Sequence, residues 1–292
     1  MIAGRKKELM LIASGLLFLF GFSIFGSLMI TPNATAATTT KKVVKKLPVK
    51  KVVKFTPAQI AKASIDRVNA ANGGNSFGVQ NALKKGAKAN SFDKELNRSA
   101  LAWAAASGNA GSVRLLINAK ASLNLADKHG NTALILASTK GYGEIVQALV
   151  KAKADVNRVD KNEKTALLYA AEGGYFPVVK FLVDAKANVN AVDKDGKTAL
   201  MSSCMKSSGP EYLDMANYLI AAGADVNIKD KNNDTALMFA IKSRRIDIIN
   251  ALIAAKADVN VRNNAQQTAY SMALMTNDSE LMNTIKNAGG II

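Results

Sequence analysis

The sequence predicts an all-α solenoid, short helical units stacked one on the next, and three observations predict it. The triplet Thr-Ala-Leu or a close variant begins at Ser99, Thr132, Thr165, Thr198, Thr235 and Thr268, at intervals of 33, 33, 33, 37 and 33 residues. A second marker, Ala-Asp-Val-Asn or a variant, keeps step with it at 121, 154, 187, 224 and 257. Between the markers, small and apolar residues recur at helical spacing. In one unit Leu134, Ala137, Ile145, Val146, Leu149 and Val150 form the expected buried faces of two antiparallel helices. A fixed period of this size is the signature of a repeat architecture.

Each part of the unit has a physical reason. Threonine at the start of the first helix caps free backbone N–H groups. The alanine that follows lets neighbouring units approach closely. No unit can bury its apolar face alone, so stability grows through nearest-neighbour interfaces. Thr56-Pro57 fits a helix start with proline in the first turn, which makes 56–93 an amino-terminal capping unit. Units then follow at 94–126, 127–159, 160–192, 193–229 and 230–262. The last, 263–292, has Asn-Asn-Ala-Gln-Gln where others have Asp and Gly, and its helices carry Asn277, Asp278 and Glu280, as a solvated end cap requires.

The stretches DKHGNTALILASTKGYGEIVQALVKAKADVNRV (127–159) and DKNEKTALLYAAEGGYFPVVKFLVDAKANVNAV (160–192) resemble ankyrin repeats. The resemblance carries the Asp–Gly–Thr-Ala-Leu turn and helix start, the mid-repeat Gly141 and the Ala-Asp-Val-Asn finger. It implies helix–loop–helix units joined by β-hairpin fingers, and it spans about 94–292 with a degenerate unit before it. Two departures stand out. The family's Thr-Pro-Leu-His start is here Thr-Ala-Leu followed by Ile, Leu or Met, so its histidine is absent. The glycine expected before the Ala-Asp-Val-Asn marker is kept at Gly223 but replaced by Lys120, Lys153, Lys186 and Lys256. A non-glycine residue in a left-handed conformation costs about 1 kcal/mol, so either the strain is borne or the helix ends differently. The 193–229 unit is four residues longer than its neighbours, and the extra residues are expected to lengthen a helix–helix loop around Gly209-Pro210.

Residues 1–36 read as an export signal or membrane anchor. Arg5, Lys6 and Lys7 precede an uncharged apolar run from Leu9 to Ile30. Its 22 residues can cross a bilayer core of roughly 30 Å. Pro32 and Ala34-Thr35-Ala36 supply a break and a small-residue cleavage site. Retention through 9–30 and cleavage near Ala36 both remain open. The lysine count beyond the run favours a cytoplasmic carboxyl side, whereas the signal-like pattern favours export. Export is the preferred expectation, to a bacterial periplasm or cell envelope. The linker at 37–55 includes KKVVKKLPVKKVVKF, whose seven lysines repel one another and keep it extended around Pro48. It lacks arginine and, Phe55 apart, aromatic rings for base stacking, so nucleic acid is not the expected partner.

The chain has 292 residues and a net charge of +17, of which residues 1–60 contribute ten basic side chains against Glu8 alone. One cysteine and one histidine exclude an intrachain disulfide and most histidine-based catalysis or metal binding. Asp193-Lys194-Asp195-Gly196 resembles the opening of a calcium loop, but its twelfth position is Cys204 rather than glutamate. Cys204 and Trp103 are expected in the core, and His129 at a solvated finger tip. No catalytic residue, cofactor or metal is expected.

The ankyrin resemblance implies a binding groove along the finger tips and the ends of the first helices. Those positions include Lys128, His129, Asn131 and Lys140; Lys161, Asn162, Lys164 and Glu172; Lys194, Asp195, Lys197 and Lys206; and Lys231, Asn232, Asp234 and Lys242. With Thr139, Gly173, Met205 and Ser243 they hold nine lysines and three acids, which suits a partner protein with an acidic surface. Asp127, Asp160, Asp193 and Asp230 stand beside those lysines and reduce the excess to two, so a solvated mixed-charge face is the competing expectation. The expected function is non-enzymatic protein binding by a monomer. The alternative is an envelope tether whose tract at 41–54 binds anionic lipid or polymer.

Overall fold

The computed structural model describes residues 66–206 and 209–291. The apolar segment at 9–30, the linker at 37–55 and residues 207 and 208 of the long repeat lie outside the described residues. The described chain is built of helix pairs. Residues 66–72 are helical and pair with Ser76–Lys84. The following pairs are Ala100–Ala106 with Ala110–Asn118, Ala133–Thr139 with Gly143–Lys151, and Ala166–Glu172 with Phe176–Asp184. Then come Ala199–Cys204 with Pro210–Ala221, Ala236–Lys242 with Ile246–Ala254, and Ala269–Thr276 with Ser279–Asn287. First helices pack on first helices and second helices on second helices along the stack.

Helices of six to nine residues are too short to stand alone in water, so packing makes them. Each first helix starts on the predicted cap. The Thr132, Thr165 and Thr198 hydroxyls accept the amides of Ile135, Leu168 and Met201 at 3.2–3.3 Å, and Thr268 forms a full capping box with Ser271. Thr235 departs from the pattern, its buried hydroxyl having no hydrogen-bond partner among the described residues. The alanines after these caps are all buried, as are Leu134, Ala137, Ile145, Val146 and Leu149; Val150 is half-buried. Cutting one of these leucines to alanine costs about 2–5 kcal/mol.

The left-handed positions are filled as the repeat demands, strain included. Lys120, Lys153, Lys186 and Lys256 have φ of 59°, 72°, 68° and 66°, beside 90° at Gly223. The helices therefore end in the same way whichever residue is present. A cation at a helix carboxyl end also meets the negative end of the helix dipole, which offsets part of the cost.

Two expectations need correction. The fingers are not β-hairpins: among the described residues there are only isolated bridges, Phe92 with Ser99 and Val159 with Thr165. Each finger closes as a tight turn, with a left-handed residue near its tip and an aspartate or asparagine accepting the tip amides, and the pairing goes no further than a single bridge. The fingers bond instead to one another. The amides of Lys128, Lys161, Lys194, Lys231 and Asn264 donate to the carbonyls of Leu96, His129, Asn162, Asp195 and Asn232, at 2.8–3.0 Å. The long repeat differs in part: five residues separate its helices where its neighbours have three, as expected, but its second helix also has 12 residues where theirs have nine, and its first has six where theirs have seven.

A second ladder runs through the marker asparagines. Asn124, Asn157, Asn190, Asn227 and Asn260 each accept, through Oδ1, an amide of the next repeat at 2.8–3.0 Å.

Candidate partner-binding face

The finger aspartates decide the charge of the face, and they point inward. Asp127, Asp160, Asp193 and Asp230 are 5–7% exposed. Asp127 Oδ1 accepts the amides of His129 and Asn131, both at 2.9 Å, while Oδ2 takes Arg98 Nη2 at 2.7 Å. Burial pushes this carboxyl upward, but the Arg98 bonds and the two amides outweigh it and hold it below the ordinary carboxylate range. Asp160 and Asp193 accept the corresponding amides of Asn162 and Lys164, and of Asp195 and Lys197. Asp230 accepts those of Asn232 and Asp234, and Asn263 does the same for Ala265 and Gln267. The acids thus shape the fingers, and lysines occupy the rim.

Lys128, His129, Lys140, Lys161, Asn162, Lys194, Asp195, Lys206, Lys231, Asn232 and Lys242 are exposed. Asn131, Lys164, Glu172 and Lys197 are half-buried. Asp234 departs from the surface expectation. It is buried, accepting from Asn263 Nδ2 at 2.8 Å and from Lys242 Nζ at 2.6 Å, so its charge is spent inside the face. Lys164 is likewise engaged, 2.5 Å from Glu172 and 3.8 Å from Asp193. These two pairs occupy the same register with reversed polarity, eight residues apart in each case.

Beneath the cations lies a row of rings. Arg98 sits 4.5 Å from the Trp103 ring centre, Lys164 5.3 Å from Tyr169 and Lys242 5.3 Å from Phe239. Trp103 and Tyr169 also reach back to the finger acids, donating to Asp93 at 2.9 Å and Asp160 at 2.6 Å. Burial, reinforced by Asp160, pushes the Tyr169 hydroxyl up to about 12. Trp103 is therefore half-buried, packed against the core as expected and forming part of this floor. At the same register the long repeat has Ser202, and there the floor gives way. A cleft of about 350 Å³ is lined by Glu172, Lys197, Ser202, Met205 and Lys206. The sequence reading missed Ser202, although a serine aligned with Trp103, Leu136, Tyr169 and Phe239 is a legible signal of lost volume.

A larger cleft, about 650 Å³, lies between the ends of second helices, lined by Asp184, Lys186, Asn188 and Tyr218 among others. Two of its polar groups satisfy each other, Tyr218 donating to Asp184 at 2.7 Å. Among the described residues no cluster of three or more His, Cys, Asp or Glu side chains could hold a metal ion, and no helix is long and apolar enough to cross a membrane. Cys204 is fully buried and lacks the surroundings of a reactive thiol.

Helix pairs at this period, capped threonines and laddered fingers define a repeat scaffold whose variable residues face outward from its fingers. The family described as ankyrin repeats (3 copies) matches at residues 68–160, 152–230 and 209–290. The chain belongs to the ankyrin repeat family. Ankyrin repeats are generally modules of protein–protein interaction. Among curated proteins none matches the sequence.

Proposed function

We propose that this chain is a non-enzymatic scaffold that binds a partner protein with an acidic surface across the finger tips and first-helix ends. The observation that carries the reading is the separation of charge. The finger acids turn inward onto amides, Arg98 and Tyr169, while Lys128, Lys161, Lys194 and Lys231 stand exposed at successive tips. Lysines so arranged favour an acidic partner through complementarity and fast encounter. The proposed setting is outside the cytoplasm of a bacterium, with residues 1–36 as signal or anchor, 37–55 as stalk and the remainder as capped repeats acting as a monomer. The basic run before an uncharged segment of membrane length supports that setting.

Partner capture by three forms of the protein tests it: the natural chain, a chain lacking 41–55, and one with Lys128, Lys161, Lys194 and Lys231 changed to Glu. Loss of capture in the charge-reversed form alone is expected. Capture that needs 41–55 and ignores the four lysines would instead support the tether reading and sink this one.

A further inference from the structure

The floor of the finger face carries a ring at Trp103, Tyr169 and Phe239 and a leucine at Leu136, and it opens at Ser202. Where Arg98, Lys164 and Lys242 each cover a ring, Lys197 has a serine beneath it. Ser202 is itself satisfied, its hydroxyl donating to the Thr198 carbonyl at 3.3 Å, so it makes no demand on a ligand. The two flanking cations of this row are neutralised within the chain, Lys164 by Glu172 and Lys242 by Asp234. Lys197 and Lys206 line the cleft, and neither forms an ion pair among the described residues. The one acid in the lining, Glu172, is already engaged by Lys164, which also lies 3.8 Å from Asp193. Met205, 45% exposed, supplies an apolar wall.

We infer that this cleft is the specificity pocket of the face and takes one carboxylate side chain, Asp or Glu, of the partner. The inference rests on the protein-binding reading above. Met205 packs on the methylenes of the incoming residue, and Lys197 and Lys206 bond its carboxylate. Ser202 matters by its size: a ring at this register, as in the neighbouring repeats, closes the space.

Panning a random-peptide display library on the full chain tests this. The expected peptides share an acidic residue at one position, and their affinity falls roughly ten-fold when that residue becomes Asn or Gln, the loss of a charge-assisted bond. Ser202→Phe and, independently, Lys197→Gln should cause a similar fall in the natural peptides, with circular dichroism confirming that both variants remain folded. The half-buried position of Lys197 keeps the test valid should the phenylalanine disturb folding. Peptides without a shared acid, or peptides that bind both variants as well as the natural chain, overturn the pocket and leave the interaction reading standing. Failure to recover any peptide that binds the folded chain overturns both.

Discussion

Asn190 reaches across a repeat boundary to Asp225: its Oδ1 accepts the Asp225 amide at 2.8 Å, and its Nδ2 donates to the neighbouring Gly223 carbonyl at 3.3 Å. One side chain thus satisfies a donor and an acceptor of the next repeat. Asp225 in turn accepts the Asn227 amide at 2.9 Å, and Asn227 repeats the reach to Asp258. The last rung ends on Ile291, which Thr268 also holds through its carbonyl. In a linear array such rungs couple neighbours without any sequence-distant contact.

Asn190→Ala should therefore destabilise the array by about 1 kcal/mol, since two partly solvated hydrogen bonds are lost at one interface. The reach makes asparagine special, so Asn190→Asp should not restore it: it keeps the acceptor but loses the donor to Gly223. Urea unfolding curves check both, and natural stability in Asn190→Ala would show that the ladder follows from packing and does not contribute to it.

The left-handed helix ends separate backbone strain from crowding. Gly223 has φ of 90° and open space where a Cβ would stand, so Gly223→Ala isolates the conformational cost, about 1 kcal/mol. Gly141 has φ of 70°, and a Cβ there would meet the Tyr175 ring at 2.5 Å. Overpacking of that kind adds about 1–3 kcal/mol. Gly141→Ala should accordingly lower the unfolding midpoint well beyond Gly223→Ala. Equal shifts in the two variants would mean that Tyr175 gives way freely.

How much of this was legible in the residues depends on which interactions are local. Helix starts were readable because Thr132 or Thr165 needs only an amide three residues on. The buried faces were readable because their period is helical. The finger geometry was not, since Asp160 looked like one more surface charge until its amides and Tyr169 were seen around it. Nor was the coupling role of Asn190, whose partners belong to the following repeat. Asp234 reads as a surface residue for the same reason: the partner that covers it, Asn263, lies 29 residues away.

Asp127 sets an acid limit on stability. Its carboxyl lies below the ordinary value in the folded chain, so it binds its proton less readily there than when unfolded. Its stabilising contribution is present above the unfolded value, about 3.9, and is lost as pH falls through the folded value. The melting temperature should stay level from neutral pH to about 4 and then drop. Asp127→Asn should lower stability at neutral pH, because the charge opposite Arg98 is lost, yet flatten the acid limb. The finger itself survives the change, since Asn263 caps its own turn through Oδ1 in the same way. An unchanged acid limb in the variant would place the acid sensitivity elsewhere, with Asp93 and Asp247 next in line because both are also held low.

Cys204 offers a reporter for the region under the open cleft. Burial pushes its thiol up to about 12, outweighing the Ser203 hydroxyl and the Arg245 charge nearby. The thiolate is the reactive form, so at neutral pH the folded protein should resist a disulfide reagent. Reaction then requires an opening that exposes the end of helix Ala199–Cys204. Two things hold that end closed: the Ser243 hydroxyl donating to the Cys204 carbonyl at 2.5 Å, and Arg245 Nη1 reaching the Lys206 carbonyl at 3.4 Å. Labelling rates across a urea series should follow global unfolding in the natural chain. In Ser243→Ala they should rise already below the unfolding transition, because one clasp is gone while the repeats remain stacked. If labelling of Ser243→Ala still tracks global unfolding, the clasp is not what shields Cys204 and the helix end opens only with the whole repeat.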